Sequence, residues 1–175
     1  MKKLSLLLVV LVLLMGRHAY AENLKVGSVD LVKALNESDA GKKAKTDLEF
    51  LIKTKQSSLD EKGKNIEKLK SELDKQSSVL SADARKSKEE ELERMIREYQ
   101  RLVTDSQNEV KKKEGEITGD ILKELRGIIE KIGNEEGYTI IIEGGEGLLL
   151  YAKKEIDLTE AVIKRHNELK AKPNK

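Results

Sequence analysis

Residues 48–80 read LEFLIKTKQSSLDEKGKNIEKLKSELDKQSSVL, and every seventh residue from Ile52 onward is apolar: Ile52, Leu59, Ile66, Leu73 and Leu80. A second run, Ile96, Val103, Val110 and Ile117, repeats the spacing further on. Seven residues is the period of a helix that packs along a seam against another helix. The polar stretch 81–88 between the runs is too short for another element. The pattern predicts one long helix to Leu80, a turn, and a second helix returning beside it, with Ser81 as its cap and Asp83 in its first turn. At about 1.5 Å per residue such an arm is roughly 50 Å long.

The companion line of the seam is only half apolar. It reads Leu48, Lys55, Lys62, Leu69 and Gln76 in the first helix, and Leu92, Tyr99, Ser106 and Lys113 in the second. A robust two-stranded coil needs both lines apolar, so this arm is held together but not rigidly. The acidic run Glu89, Glu90 and Glu91 with Arg94 and Arg97 supplies neighbouring pairs along a solvated helix face. After Ile117 the spacing changes to Ile121, Leu125, Ile128 and Ile132, with Ile129 widening the apolar face. The helix therefore leaves the two-stranded seam there and enters a broader core. Gly115 and Gly119 sit just before the change and mark a candidate hinge, or else a tolerated weakness.

The start of the chain has the three parts of a secretory signal. Lys2 and Lys3 precede an apolar run over 4–15, and Ala19-Tyr20-Ala21 supplies small residues for a peptidase. Cleavage is expected between Ala21 and Glu22. With no cysteine in the chain, neither a lipid-modified cysteine nor a disulfide is possible. Removal of the segment takes away Lys2, Lys3 and Arg17 and no acid, leaving bases and acids almost balanced. That excludes general nucleic-acid binding, which needs a basic excess. With no Trp and one Phe, a large aromatic core is excluded too.

Either side of the arm the pattern is shorter. Residues 24–30 alternate around Val26 and Val29 as a strand, 31–35 begin a helix, and Asn36-Glu37-Ser38 with Gly41 read as a break. Gly133 is expected to cap the second long helix, 138–142 and 148–151 to form a β-hairpin around the glycine-rich turn 144–147, and Asp157-Leu158-Thr159-Glu160 to box a final helix. The class is α+β and mostly helical, with a long antiparallel coiled-coil hairpin inserted into a small β body. The expected division is a cleaved segment 1–21, an α/β body from 22–41 and 133–170, a hairpin over 42–132 with its tip at 81–88, and a frayed tail 171–175. A body of about 60 residues buries only about 60% of its unfolded surface, so self-association is expected to complete it. His166 occupies an apolar-face position of the last helix, with no partner that spacing can name.

Three blocks of this sequence resemble, in order, the Skp/OmpH family of periplasmic chaperones. They are Lys25-Val26-Gly27-Ser28-Val29-Asp30-Leu31 through Gly41-Lys42-Lys43, the tip Leu80-Ser81 with Ala84-Arg85-Lys86 and Glu89-Glu90-Glu91-Leu92, and Leu150-Tyr151-Ala152 followed by Asp157-Leu158-Thr159-Glu160. The resemblance implies a soluble periplasmic homotrimer shaped like a jellyfish, with helical hairpins around a cavity. It implies uptake of unfolded outer-membrane proteins without ATP or any cofactor, and their release toward the outer-membrane assembly machinery. Better-known members are strongly basic. The near-neutral mature chain argues against anionic-lipid or lipopolysaccharide binding, and leaves Arg85, Lys86 and Lys88 at the tip as the local candidates for anionic or client contacts.

Two other classes compete. An enzyme finds little support: once the segment 1–21 is gone, His166 is the sole histidine, and the loop Glu143-Gly144-Gly145-Glu146-Gly147 lacks the Gly-Lys-Ser/Thr of a phosphate cradle. No catalytic, metal or cofactor residue is assigned. A coiled-coil spacer or adaptor of the cell envelope is the closer rival, although a spacer favours a uniformly apolar seam, unlike Lys55, Lys62 and Gln76.

Overall fold

The computed structural model describes residues 24–76, 79–145 and 147–171. In chain order these form β1 (Val26–Val29), α1 (Leu31–Glu37), α2 (Asp39–Lys75), α3 (Ala82–Glu136), β2 (Ile140–Glu143), a single 3-10 turn (Lys154–Ile156) and α4 (Thr159–Ala171). The expected signal segment with its Ala21–Glu22 junction lies outside the described residues, as does the tail beyond Ala171.

Helix α1 starts where Asp30 accepts a hydrogen bond from the Lys33 amide at 2.8 Å. A second carboxylate, that of Glu143, accepts from the Leu31 amide at 2.9 Å, so β2 helps to cap a helix more than a hundred residues earlier. Ser38 closes α1 and opens α2. Its amide donates to the Ala34 carbonyl, and its hydroxyl accepts from the Gly41 amide at 3.1 Å. The corner is so tight that a Cβ on Gly41 would stand 1.7 Å from the Leu35 carbonyl oxygen.

From that corner α2 runs outward and α3 returns, forming the expected hairpin arm. No residue of α2 is fully buried. The turn is earlier than the heptads suggested: α2 stops at Lys75 and α3 begins at Ala82, so 82–88 are already helix. Ser81 is the cap as expected, its hydroxyl accepting from the Ala84 amide. The seam also departs from the seven-residue line. Ile52 is 47% exposed and Ile96 38%, while Leu51, Lys55 and Gly63 are half-buried. A straight helix drifts about 20° for every seven residues, so a strict heptad line starts on one flank and reaches the seam only later.

Nearer the body α3 changes partners. Ile121, Leu125, Ile128 and Ile132 pack with Val29, Ala34, Leu158, Val162 and Ile163 into one buried cluster. The phase change after Ile117 marks this transition, so residues within the range expected for the arm build the core of the body. The helix runs past Gly133 to Glu136. Gly137 adopts φ 70°, and the Tyr138 amide reaches back to the Gly133 carbonyl at 2.9 Å. Only the later glycine sits where the chain needs a left-handed residue, so it is the cap.

The strands correct a second expectation. β2 pairs with β1 in parallel, Val26 beside Ile140 and Val29 beside Glu143, and not with 148–151 in a hairpin. β1 is further bridged to Asp157, with the Leu158 amide donating to the Ser28 carbonyl at 2.8 Å. Gly27 makes this possible, because a Cβ there would meet Leu158 at 2.7 Å and Tyr138 at 3.1 Å. Residues 148–151 form no strand, and Leu150 is 98% exposed. The expected capping box is rearranged as well. Asp157 accepts from the amide and hydroxyl of Thr159, while Glu160 turns away to Lys33.

A methyl on Gly41 has no room against backbone. Gly41→Ala is expected to destabilise the protein by about 1–3 kcal/mol or more in urea unfolding, as overpacking does, whereas Gly127→Ala, which meets nothing within 4 Å, is expected to be neutral or stabilising.

Candidate functional site

The arm is joined by polar as well as apolar contacts. Lys55, a seam position, crosses to Glu109 at 2.6 Å, and Lys88 crosses to Glu72 and Gln76 at 3.5 and 3.4 Å. Tyr99 lies over Gly63, 3.9 Å from where a Cβ would stand. Such partly exposed pairs contribute little stability each, about 0–1 kcal/mol, but they fix which residues face one another. On either side of the Lys55–Glu109 pair the seam opens into clefts. One of about 420 Å³ is lined by Leu48, Leu51 and Ile117 among charged residues. Another, of about 380 Å³, is lined by Ile52, Leu59, Val103 and Val110 with Ser106, and is likewise rimmed by charge at Lys55, Lys111 and Glu114. The Ser106 hydroxyl is buried without a hydrogen-bond partner.

At the tip, the candidate cations are each paired. Arg85 bonds Glu89 at 2.8 Å, Lys86 lies 4.0 Å from Glu90, and Lys88 reaches Glu72. Their charge is thus locally compensated, and among the described residues nearby the apolar Val79 is exposed. Gly115 and Gly119 lie within unbroken α3, both exposed, with open space where a side chain would go.

The root of the arm is fastened by α4. Its Asn167 side-chain carbonyl accepts from the Asp39 amide at 3.0 Å, and Arg165 pairs with Glu135. His166 is 1% exposed and finds the partner that spacing could not supply: Glu124 of α3, at 2.9 Å from Nε2. A carboxylate only accepts, so Nε2 carries the proton, and the buried Nδ1 has no partner. Glu124 also accepts from Lys170 at 2.7 Å. Burial alone would raise the Glu124 carboxyl, but hydrogen bonds from Lys170 and His166 outweigh it and hold it below the ordinary carboxylate range. Asp157 follows the same logic, burial opposed and exceeded by the two bonds from Thr159. Lys33 is raised by its bond to Glu160. Apart from the Asp157–Thr159 pair, two residues apart, these contacts have no local sequence signal, since the partners lie tens of residues apart.

Both carboxylates titrate lower in the folded chain than in the unfolded one. Each adds stability that is complete above the ordinary pKa of about 4 and disappears as pH falls through the lowered folded value. Urea midpoints measured from pH 7 downward are expected to fall in that window, and to fall less steeply in Glu124→Gln and Asp157→Asn. Parallel curves for both variants and the parent would contradict the assignment.

Among the described residues no helix is long and apolar enough to cross a membrane. A solved structure of an OmpH-like protein from Caulobacter crescentus, described as a candidate outer membrane chaperone, superimposes with a TM-score of 0.77 over 82% of this chain and 84% of that one, at 19% identity. At that identity the likeness establishes the fold. An uncharacterized protein of Aquifex aeolicus is 27% identical over 142 residues, which is 81% of this chain and 85% of that protein. Residues 25–165 match the family described as outer membrane protein (OmpH-like), a span that takes in β1, the whole arm, β2 and most of α4; the chain belongs to the OmpH-like family.

Proposed function

We propose that this protein is an ATP-independent holding chaperone of the periplasm, which binds unfolded outer-membrane β-barrel proteins between helical arms and delivers them for insertion. The observation that carries this reading is an arm whose seam is only half apolar, projecting from a small body and leaving apolar side chains such as Ile52, Phe50 and Val79 in solvent. Unfolded barrel proteins expose alternating apolar strands. Many weak contacts along a yielding arm hold such a chain by avidity, without any energy-coupled cycle. The membership in the OmpH-like family supports the same reading.

The body suits association into a homotrimer. β2 pairs only with β1 among the described residues, so its outer edge carries unpaired backbone groups next to the half-exposed Ile140. Leu148, Leu150 and Tyr151 stand exposed nearby in sequence. Free edges and apolar patches of this kind are covered in stable soluble proteins. Three copies closing their bodies together would point the arms around a shared cavity. Gly115 and Gly119 then act as the hinge that lets each arm splay.

Diluting a urea-unfolded outer-membrane barrel protein into buffer with the purified mature chain is expected to suppress its aggregation at one trimer per client. No protection at that ratio would favour an envelope spacer instead. Light scattering is expected to give three times the monomer mass, lost in the double variant Leu150→Asp, Tyr151→Asp. Gly115→Ala with Gly119→Ala adds about 2 kcal/mol of helix propensity and is expected to narrow the spread of the arms in small-angle scattering; an unchanged spread would remove the hinge.

A further inference from the structure

We infer that residues 148–151 form a proteolytic control site: in a lone chain they are open to an endopeptidase with an apolar primary pocket, which cuts between Tyr151 and Ala152, and self-association shields them. The shielding rests on the homotrimer proposed above. Leu150 is 98% exposed, Tyr151 81% and Leu148 70%. Other exposed apolar side chains differ in their backbone. Phe50, Ile52 and Ile96 sit on the long helices, and Ile140 lies in β2. A peptidase takes its substrate as an extended strand bonded along the cleft, so helical backbone must unwind before it can enter. The ten residues 144–153 belong to no helix or strand. Among the described residues, the amides of 149–153 donate to no other group.

The segment also lacks an apolar seat on its own body. Between the two lies a crevice of about 380 Å³, whose body wall includes Ser28, Asp30, Lys33, Asp157 and Thr159. These polar and charged groups offer no apolar burial to Leu150 or Tyr151. Hydrolysis there adds one water. Its hydroxyl joins the Tyr151 carbonyl carbon as the bond to the Ala152 nitrogen breaks, and its proton goes to that nitrogen. The cut leaves 152–175 joined to the rest by contact alone, and that piece contains α4. It carries Leu158, Val162 and Ile163 of the buried cluster, the Asn167 bond to Asp39, and the bonds of His166 and Lys170 to Glu124. Loss of the tether removes the high effective concentration that keeps α4 docked. One cut therefore unfastens the root of the arm in a subunit that has not assembled.

The experiment treats the purified mature chain with trace chymotrypsin, over protein concentrations that span its dissociation in light scattering. Mass spectrometry identifies the first bond cut. Ile140→Asp charges the free edge of β2 and leaves 148–151 unaltered. It supplies a weakly associating reference, its fold checked by circular dichroism. Fragments 22–151 and 152–175 are expected first, before any cut at Phe50, which is 74% exposed but helical. In both proteins the rate per chain is expected to follow the free fraction, about tenfold slower where about nine-tenths is assembled. A trimer cut at this bond as fast as the monomeric reference would overturn the shielding. A first cut outside 148–151 would overturn the site. A monomer mass at every concentration would overturn the trimer reading and the shielding with it, and the first bond cut would still decide the site.

Discussion

Parallel strands cannot be joined by a tight turn. The pairing of Val26–Val29 with Ile140–Glu143 therefore obliges the chain to leave the sheet at one end and re-enter it at the other. In most folds a dozen residues of helix make that crossing. Here the crossing is the arm itself, and its two feet are fixed by the same register that pairs the strands. Glu143 capping α1 and Asn167 capping α2 tie the outgoing foot to β2 and α4, and Arg165 paired with Glu135 ties the returning one to α4. The small body is thus a clamp on the two ends of a long excursion, and its core is completed by the excursion's own returning helix.

α3 meets two packing demands along one axis. Over its outer part it shares a thin seam with α2, and over Ile121, Leu125, Ile128 and Ile132 it fills the body. The first region relies on half-buried side chains and on cross-helix pairs such as Lys55 with Glu109, and the second on full burial. Stability is accordingly uneven, firm at the root and modest outward. The fastening at the root is partly electrostatic, through His166, Glu124 and Lys170.

Much of this was legible in the residues. Heptads at Ile52–Leu73 and Ile96–Ile117 announce paired helices, Ser81 announces the return, and the shift to Ile121 announces a new packing partner, because all are local periodicities. The pairing of β2 was not legible, since the β-branched run 138–142 names a strand but not its neighbour, and β1 lies more than a hundred residues away. Gly133 follows Ile132, the last apolar residue of the helix, and only backbone conformation shows that Gly137, four residues later, is the cap. The flank position of Ile52 follows from a drift too small to see in one heptad. Of the candidate site, the cations at Arg85, Lys86 and Lys88 were visible, but their compensation by Glu89, Glu90 and Glu72 depends on side-chain reach and on the facing helix.

The corner at Ser38 and Gly41 has a further consequence. Because a single serine ends one helix and begins the next, and no methyl fits beside the Leu35 carbonyl, the heading of the limb is set at its base. Length is then a separate variable. Whole turns added to or deleted from both limbs together would change how far the molecule extends without disturbing strand register or the buried cluster, so one base can carry limbs of different reach.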